Sequence, residues 1–170
     1  DIDGEGAEDN SGYSVSLSAD GSRLAIGAPL NDGNASGAGQ VRVYTWSGTD
    51  WMQLGQDIDG EALGDNSGYS VSLSVDGSHL AIGAIYNDGN GTFAGHVRIY
   101  TWNGNAWVQL GQDIDGESPD DRSGRSVSLS SNGNRFAIGS FLNGASGHVR
   151  VYDVSQSTDT VFQFVAICNS

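Results

Sequence analysis

One phrase governs this chain. DIDGEGAEDNSGYSVSLSADGSRLAIGAP begins at Asp1, returns as DIDGEALGDNSGYSVSLSVDGSHLAIGAI at Asp57, and returns again as DIDGESPDDRSGRSVSLSSNGNRFAIGSF at Asp113. The copies start 56 residues apart, and the first two agree at about 40 of those positions. A fixed period of this length constrains the fold more than any composition can. Each copy is one supersecondary unit that cannot bury its own faces, so stability must come from stacking copies on one another. The units are 1–56, 57–112 and 113–170.

Within a unit, period-two alternation and β-branched residues are bounded by Gly, Asn, Asp and Ser clusters, the pattern of short strands separated by turns. The first copy predicts strands over Ser14–Ser18, Arg23–Ala28, Gln40–Trp46 and Trp51–Gln56. Asp20-Gly21 in ADGS is a tight-hairpin signal, and SGTD joins the third strand to the fourth. No helical periodicity competes. Four strands per repeat of this length predict an all-β fold of β-propeller blades, three four-stranded antiparallel sheets forming part of a larger or oligomeric propeller. A β-helix needs shorter coils, and an immunoglobulin-like sandwich has no self-similarity every four strands.

The third copy departs from the others. Its loop between strands two and three reads NGASGH where the second has NDGNGTFAGH, and its last strand has lost both tryptophans. Terminal repeats of stacked arrays are commonly atypical, which marks this end as a chain end or a capping strand. Propellers close with four to eight blades, so three leave faces to be covered, either by more of a longer chain or by copies associating head to tail. Cys168 stands alone and cannot form an internal disulfide.

Charge narrows the partners. Against 21 acidic residues stand 7 basic ones, all Arg, for a net charge of -14. Such a surface repels phosphate backbones and anionic lipid, which excludes nucleic acid and membrane-surface binding and favours cations. No apolar run is long enough to cross a bilayer, so membrane insertion is not expected. No leader precedes Asp1 and the chain does not begin with Met, which fits a processed secreted product or part of a longer chain.

Two-thirds of the carboxylates fall in the DIDGE loops that join strand four of one blade to strand one of the next. In an up-and-down sheet these loops share a rim with the strand two-to-three loops, which add Asp32 and Asp88. Asp1, Asp3 and Asp9, then Asp57, Asp59 and Asp65, then Asp113, Asp115 and Asp121, could offer oxygens to Ca²⁺. Equally, these side chains could satisfy backbone NH groups in turns, one of them pairing with the Arg of VRVY. Arg42, Arg98 and Arg150 lie inside a strand covered on both faces and therefore need carboxylate partners. Trp46 with Trp51, and Trp102 with Trp107, flank hairpin turns. Such pairs stack on sugar rings when exposed, and more often pack blade on blade. His79, His96 and His148 have no second His or Cys at ligand spacing and read as structural. The serines of SVSLS read as one strand face, with no nucleophile elbow near them. Asn34 and Asn90 head glycosylation sequons at equivalent positions, and if occupied would imply secretion.

The stretch GYSVSLSADGSRLAIGAP, with Gly12 near an FG position and Gly27, Ala28 and Pro29 as GAP, resembles the FG-GAP repeats of integrin alpha-subunit propellers. The family's Asp-rich calcium loop between strands one and two is reduced here to SADGS, SVDGS and SSNGN, too short and carboxylate-poor to surround the ion. The resemblance implies a non-enzymatic extracellular or cell-surface module that binds protein or glycan through its acidic rim, with Ca²⁺ as a possible aid. Two other roles are open at this point: a structural building block of a polymer, surface layer or larger complex, and the accessory propeller of a secreted hydrolase.

Overall fold

The computed structural model describes residues 1–144, 146–156 and 162–166, and it is built of strands without a helix among them. The order is β1 (Ser14–Leu17), β2 (Arg23–Ala28), β3 (Gln40–Trp46), β4 (Trp51–Gln53), β5 (Ile58–Asp59), β6 (Ser67–Leu73), β7 (His79–Ala84), β8 (His96–Trp102), β9 (Trp107–Asp115), β10 (Ser126–Leu129), β11 (Arg135–Ser140), β12 (His148–Gln156) and β13 (Phe162–Ala166). They form three antiparallel sheets, β1-β2-β3-β4 with β5 added to β3, then β6-β7-β8-β9, then β10-β11-β12-β13. These are the three propeller blades expected. Cys168 and the sequence beyond Ala166 lie outside the described residues.

Blade edges run slightly past the sequence period. Ile58 and Asp59 open the second repeat yet pair with Val41 and Gln40 of the first blade. In the second blade the same pairing is one continuous strand, with Asp115 opposite His96 and Ile114 opposite Val97. The sheet therefore carries each acidic loop from the outer edge of one blade to the inner strand of the next.

The first hairpin of each blade is fixed by one side chain, an Asp in the first two blades and Asn132 in the third. The Asp20 carboxylate accepts from Ser18 Oγ at 2.7 Å and from the Ser22 N–H at 2.9 Å, and Asp76 repeats both bonds with Ser74 and Ser78. These bonds hold both carboxyls at a pKa of about 2, the serine hydroxyl being the largest cause.

Two apolar clusters join the blades. Val41 and Val43 of the first blade pack with Leu73, Leu80 and Ile82 of the second, and Val97 and Ile99 of the second pack with Phe136 and Ile138 of the third. Each such side chain, fully buried, contributes about 1.5–3 kcal/mol. The inner strands are stitched by serines. Ser14 Oγ donates to the Gly68 carbonyl and Ser70 Oγ to the Gly124 carbonyl, both at 2.7 Å. The Leu73 N–H donates to Ser16 Oγ at 2.9 Å and the Leu129 N–H to Ser72 Oγ at 3.0 Å. The SVSLS serines thus serve as the polar seam between neighbouring inner strands.

Candidate functional site

The acidic loops and the strand two-to-three loops do meet on one rim. Asn31 Nδ2 donates to Asp9 Oδ2 at 2.8 Å, and Asn87 Nδ2 to Asp65 Oδ2 at 3.0 Å. Asp9 also accepts from the Gly6 N–H, Asp65 from Ala62, and Asp121 from Glu117, Ser118 and Asn143. These three buried carboxylates tie loops together. Asp32 and Asp88 accept from the N–H groups of Gly37 and Phe93. Asp57 accepts from Gln53 Nε2 at 2.6 Å, and Asp59 from Gln40 Nε2 at 3.3 Å. Asp1 and Asp3 are exposed.

Arg42 and Arg98 find carboxylates, but through Glu rather than Asp. Arg42 lies 3.6 Å from Glu5 and Arg98 3.7 Å from Glu61. Their second nitrogens, like that of Arg150, donate to the backbone carbonyls of Asp3, Asp59 and Asp115. Each guanidinium also stands over the tyrosine two residues on, at 5.7 Å. The tryptophan pairs face across their hairpins at 5.5 and 5.6 Å, and Trp107 Nε1 donates to the Leu54 carbonyl of the preceding blade, so the second pair packs blade on blade. In the first pair Trp46 is exposed. The Asn34 and Asn90 amides donate to the Gly60 and Gly116 carbonyls.

One cluster stands apart from these fastenings. His96 Nδ1 lies 3.9 Å from Glu61 Oε2 and 3.9 Å from Asp113 Oδ2. One ligand atom from each residue falls within 4.8 Å of the other two. His96 is 1% exposed, and its Nδ1 has no hydrogen-bond partner. A buried, unbonded imidazole nitrogen is costly unless something ligates or bonds it. Burial, and then the neighbouring Arg98 charge, depress its pKa to about 4, so the ring is neutral at physiological pH and free to act as a ligand. Burial raises the Glu61 pKa, and repulsion from Asp113 adds to it. Burial likewise raises that of Asp115.

The three carboxylates border an open cleft of about 480 Å³ lined by Glu61, Gln109, Gly111, Gln112, Asp113 and Asp115. Gln109 Nε2 holds the outer oxygen of Asp113 at 2.7 Å, leaving Oδ2 directed at His96. Of the acidic residues singled out in the sequence, Asp113 enters this cluster, while Glu61 and His96 had not been singled out as ligands. Their signal was present. Within a strongly repeated unit, position 40 is Gln where 96 and 148 are His, and His148 Nε2 again approaches a loop carboxylate, Glu117, at 3.6 Å.

Neither a family model nor a curated protein matches the sequence in comparisons. Solved structures do match. A Bacteroides fragilis protein assigned as a 6-phosphogluconolactonase superposes with a TM-score of 0.60 at 13% identity, over 90% of this chain and 36% of that one. The Pseudomonas aeruginosa periplasmic gluconolactonase gives 0.55 at 17%, over 89% and 44%. Kuenenia stuttgartiensis hydrazine synthase gives 0.53 at 13%, over 91% and 36%. The chain spans less than half the length of each, and the likeness is one of fold.

Three expectations are corrected by these matches. The FG-GAP resemblance is not sustained, because no family model matches and the similar solved structures include lactonases. The glycine of the motif that suggested it, Gly27, lies against the Gly68 carbonyl of the next blade. The non-enzymatic binding role, and with it the reading that the chain is no enzyme, rested on that resemblance. The propellers this fold resembles are named as enzymes. No described helix is long and apolar enough to cross a membrane.

Proposed function

We propose that this chain carries the cation-binding, hydrolytic face of a propeller enzyme that opens sugar-acid lactones. The observation that carries this reading is the buried, unbonded His96 nitrogen facing Glu61 and Asp113 at the edge of an open cleft. The names of the B. fragilis and P. aeruginosa neighbours support the substrate class.

One imidazole and two carboxylates do not suit Ca²⁺, which takes six to eight oxygens. They suit a borderline ion such as Zn²⁺ or Mn²⁺, whose bonds of about 2.0–2.2 Å ask for donors roughly 3–4 Å apart. The spacings at His96 already approach this, and Glu61 is exposed. A bound divalent ion would polarise the lactone carbonyl and lower the pKa of water. Asp115, which lines the cleft outside the ligand set and is made more basic by burial, takes the proton as water oxygen adds to the carbonyl carbon. The acyl–oxygen bond of the ring then breaks, and the ring oxygen leaves with a proton as the alcohol. Gln109 and Gln112 offer amides to the sugar hydroxyls. With three carboxylates in the cleft and a net charge of -14, an uncharged lactone is favoured over a phosphorylated one. The periplasmic neighbour supports a location outside the cytoplasm.

The test is hydrolysis of gluconolactone followed by pH-stat, with and without EDTA and added Zn²⁺ or Mn²⁺, alongside isothermal titration with the metal alone. Metal-dependent turnover that vanishes in His96→Gln supports the reading. A rate no higher than spontaneous hydrolysis in every metal condition, with no heat of metal binding, would overturn it.

A further inference from the structure

Each internal junction between blades is built around one glycine carbonyl. At the first, the Gly68 carbonyl accepts from Ser14 Oγ and fills the space beside Gly27 where a Cβ would lie. At the second, Gly124 does the same for Ser70 and Gly83. Gly68 and Gly124 reach this position with φ of +84° and +86°.

The third blade repeats the receiving half of that junction. It keeps Ser126 and Ser128 where Ser14 and Ser16, then Ser70 and Ser72, meet the next blade, and it keeps Gly139 in the register of Gly27 and Gly83. A Cβ on Gly139 would meet no backbone from a following blade, only the side chain and carbonyl of Ser126 across its own hairpin. Beside Gly139 lies a cleft of about 340 Å³, whose walls include Arg125, Ser126 and Phe141.

The first blade presents the inserting half. Gly12 has φ +89°, matching Gly68 and Gly124, and nothing lies within 4 Å of its missing Cβ. Val15 and Leu17 are 61% and 58% exposed, whereas Leu73, in the same register one blade on, is 7% exposed inside the first junction. Tyr13, whose ring meets that of Tyr69 at 4.9 Å with a tilt of 51°, also matches its site, because Arg125 stands over Tyr69 and Phe141 at the open end.

We propose that a second copy of this chain docks head to tail, its first blade on this third blade, with Gly12 seated beside Gly139 and Ser126. Both halves of the junction lie on one chain, so two copies satisfy each other twice. They close a six-bladed ring, within the four to eight blades that propellers adopt. This inference is independent of the catalytic reading.

Native mass spectrometry and light scattering of the 170-residue chain across a dilution series test it, with a particle of twice 17.7 kDa expected. Gly139→Ala, which blocks the seat, and Leu17→Glu, at an exposed position, should each give monomers with an unchanged far-UV circular dichroism spectrum. Mixing the two variants pairs one intact head with one intact tail and should restore a weaker dimer. A monomer at every concentration, a dimer that survives both substitutions, a mixture that stays monomeric, or an open ladder of higher masses would each overturn the proposal.

Discussion

The backbone carbonyl of Gly68 occupies the place where a side chain on Gly27 would have to begin. Two blades therefore touch backbone to backbone near the inner strand, and the same contact recurs between Gly124 and Gly83. The repeated Ala-Ile-Gly of β2, β7 and β11 is the sequence trace of this approach.

Gly27→Ala and Gly83→Ala force these backbones apart. Each should lower unfolding free energy by about 1–3 kcal/mol, the usual penalty of an inserted methyl in a packed site. Gly139→Ala, measured where the chain is monomeric, should have a smaller effect because only the Ser126 side chain must turn aside. Urea denaturation of the three variants checks the order.

Ser72→Ala removes the acceptor of the Leu129 N–H at the seam between the second and third blades. An unsatisfied buried donor costs about 1–3 kcal/mol, so the midpoint of thermal unfolding should fall. The loss should be largest in amides of β6 and β10, which hydrogen exchange can read.

Asp20 and Asp76 have pKa values lowered from 3.8 to about 2 by bonds from serine hydroxyls and backbone N–H groups. A depressed carboxyl stabilises the fold above its unfolded pKa and loses that contribution as the pH falls towards the folded value. Stability should therefore decline between about pH 4 and pH 2, and Asp76→Asn should flatten part of the decline in a urea-midpoint series.

His96 titrates the other way. Its folded pKa of about 4 lies below the ordinary 6.5, so the unfolded chain takes up the proton first. In EDTA, stability should fall as the pH drops from about 6.5 towards 4, and should be insensitive to this group above that range. His96→Gln installs the residue that the first blade carries at Gln40, a buried amide that fits the same strand, and should remove the slope.

The local plan of the molecule was legible in the chain. The hairpin at Asp20-Gly21 forms with the predicted strands on either side, because turn chemistry and two-residue alternation act over a few neighbours. The fourth strand was read as Trp51–Gln56, but β4 ends at Gln53, before Gly55 turns the chain with φ +86°. The pairing then resumes at Ile58, across the repeat boundary.

The period, the three sheets and the gathering of acid on one rim follow from short-range pattern repeated along the chain. Which acids bond their own loops and which are left facing the cleft is settled by pairing between distant parts of the chain. Glu61, His96 and Asp113 span two repeats, and they meet because the start of the third repeat pairs beside His96 as the edge of the second sheet. Whether a nitrogen is stranded depends on what the fold places within about 3 Å of it, a distance that no spacing along the chain specifies.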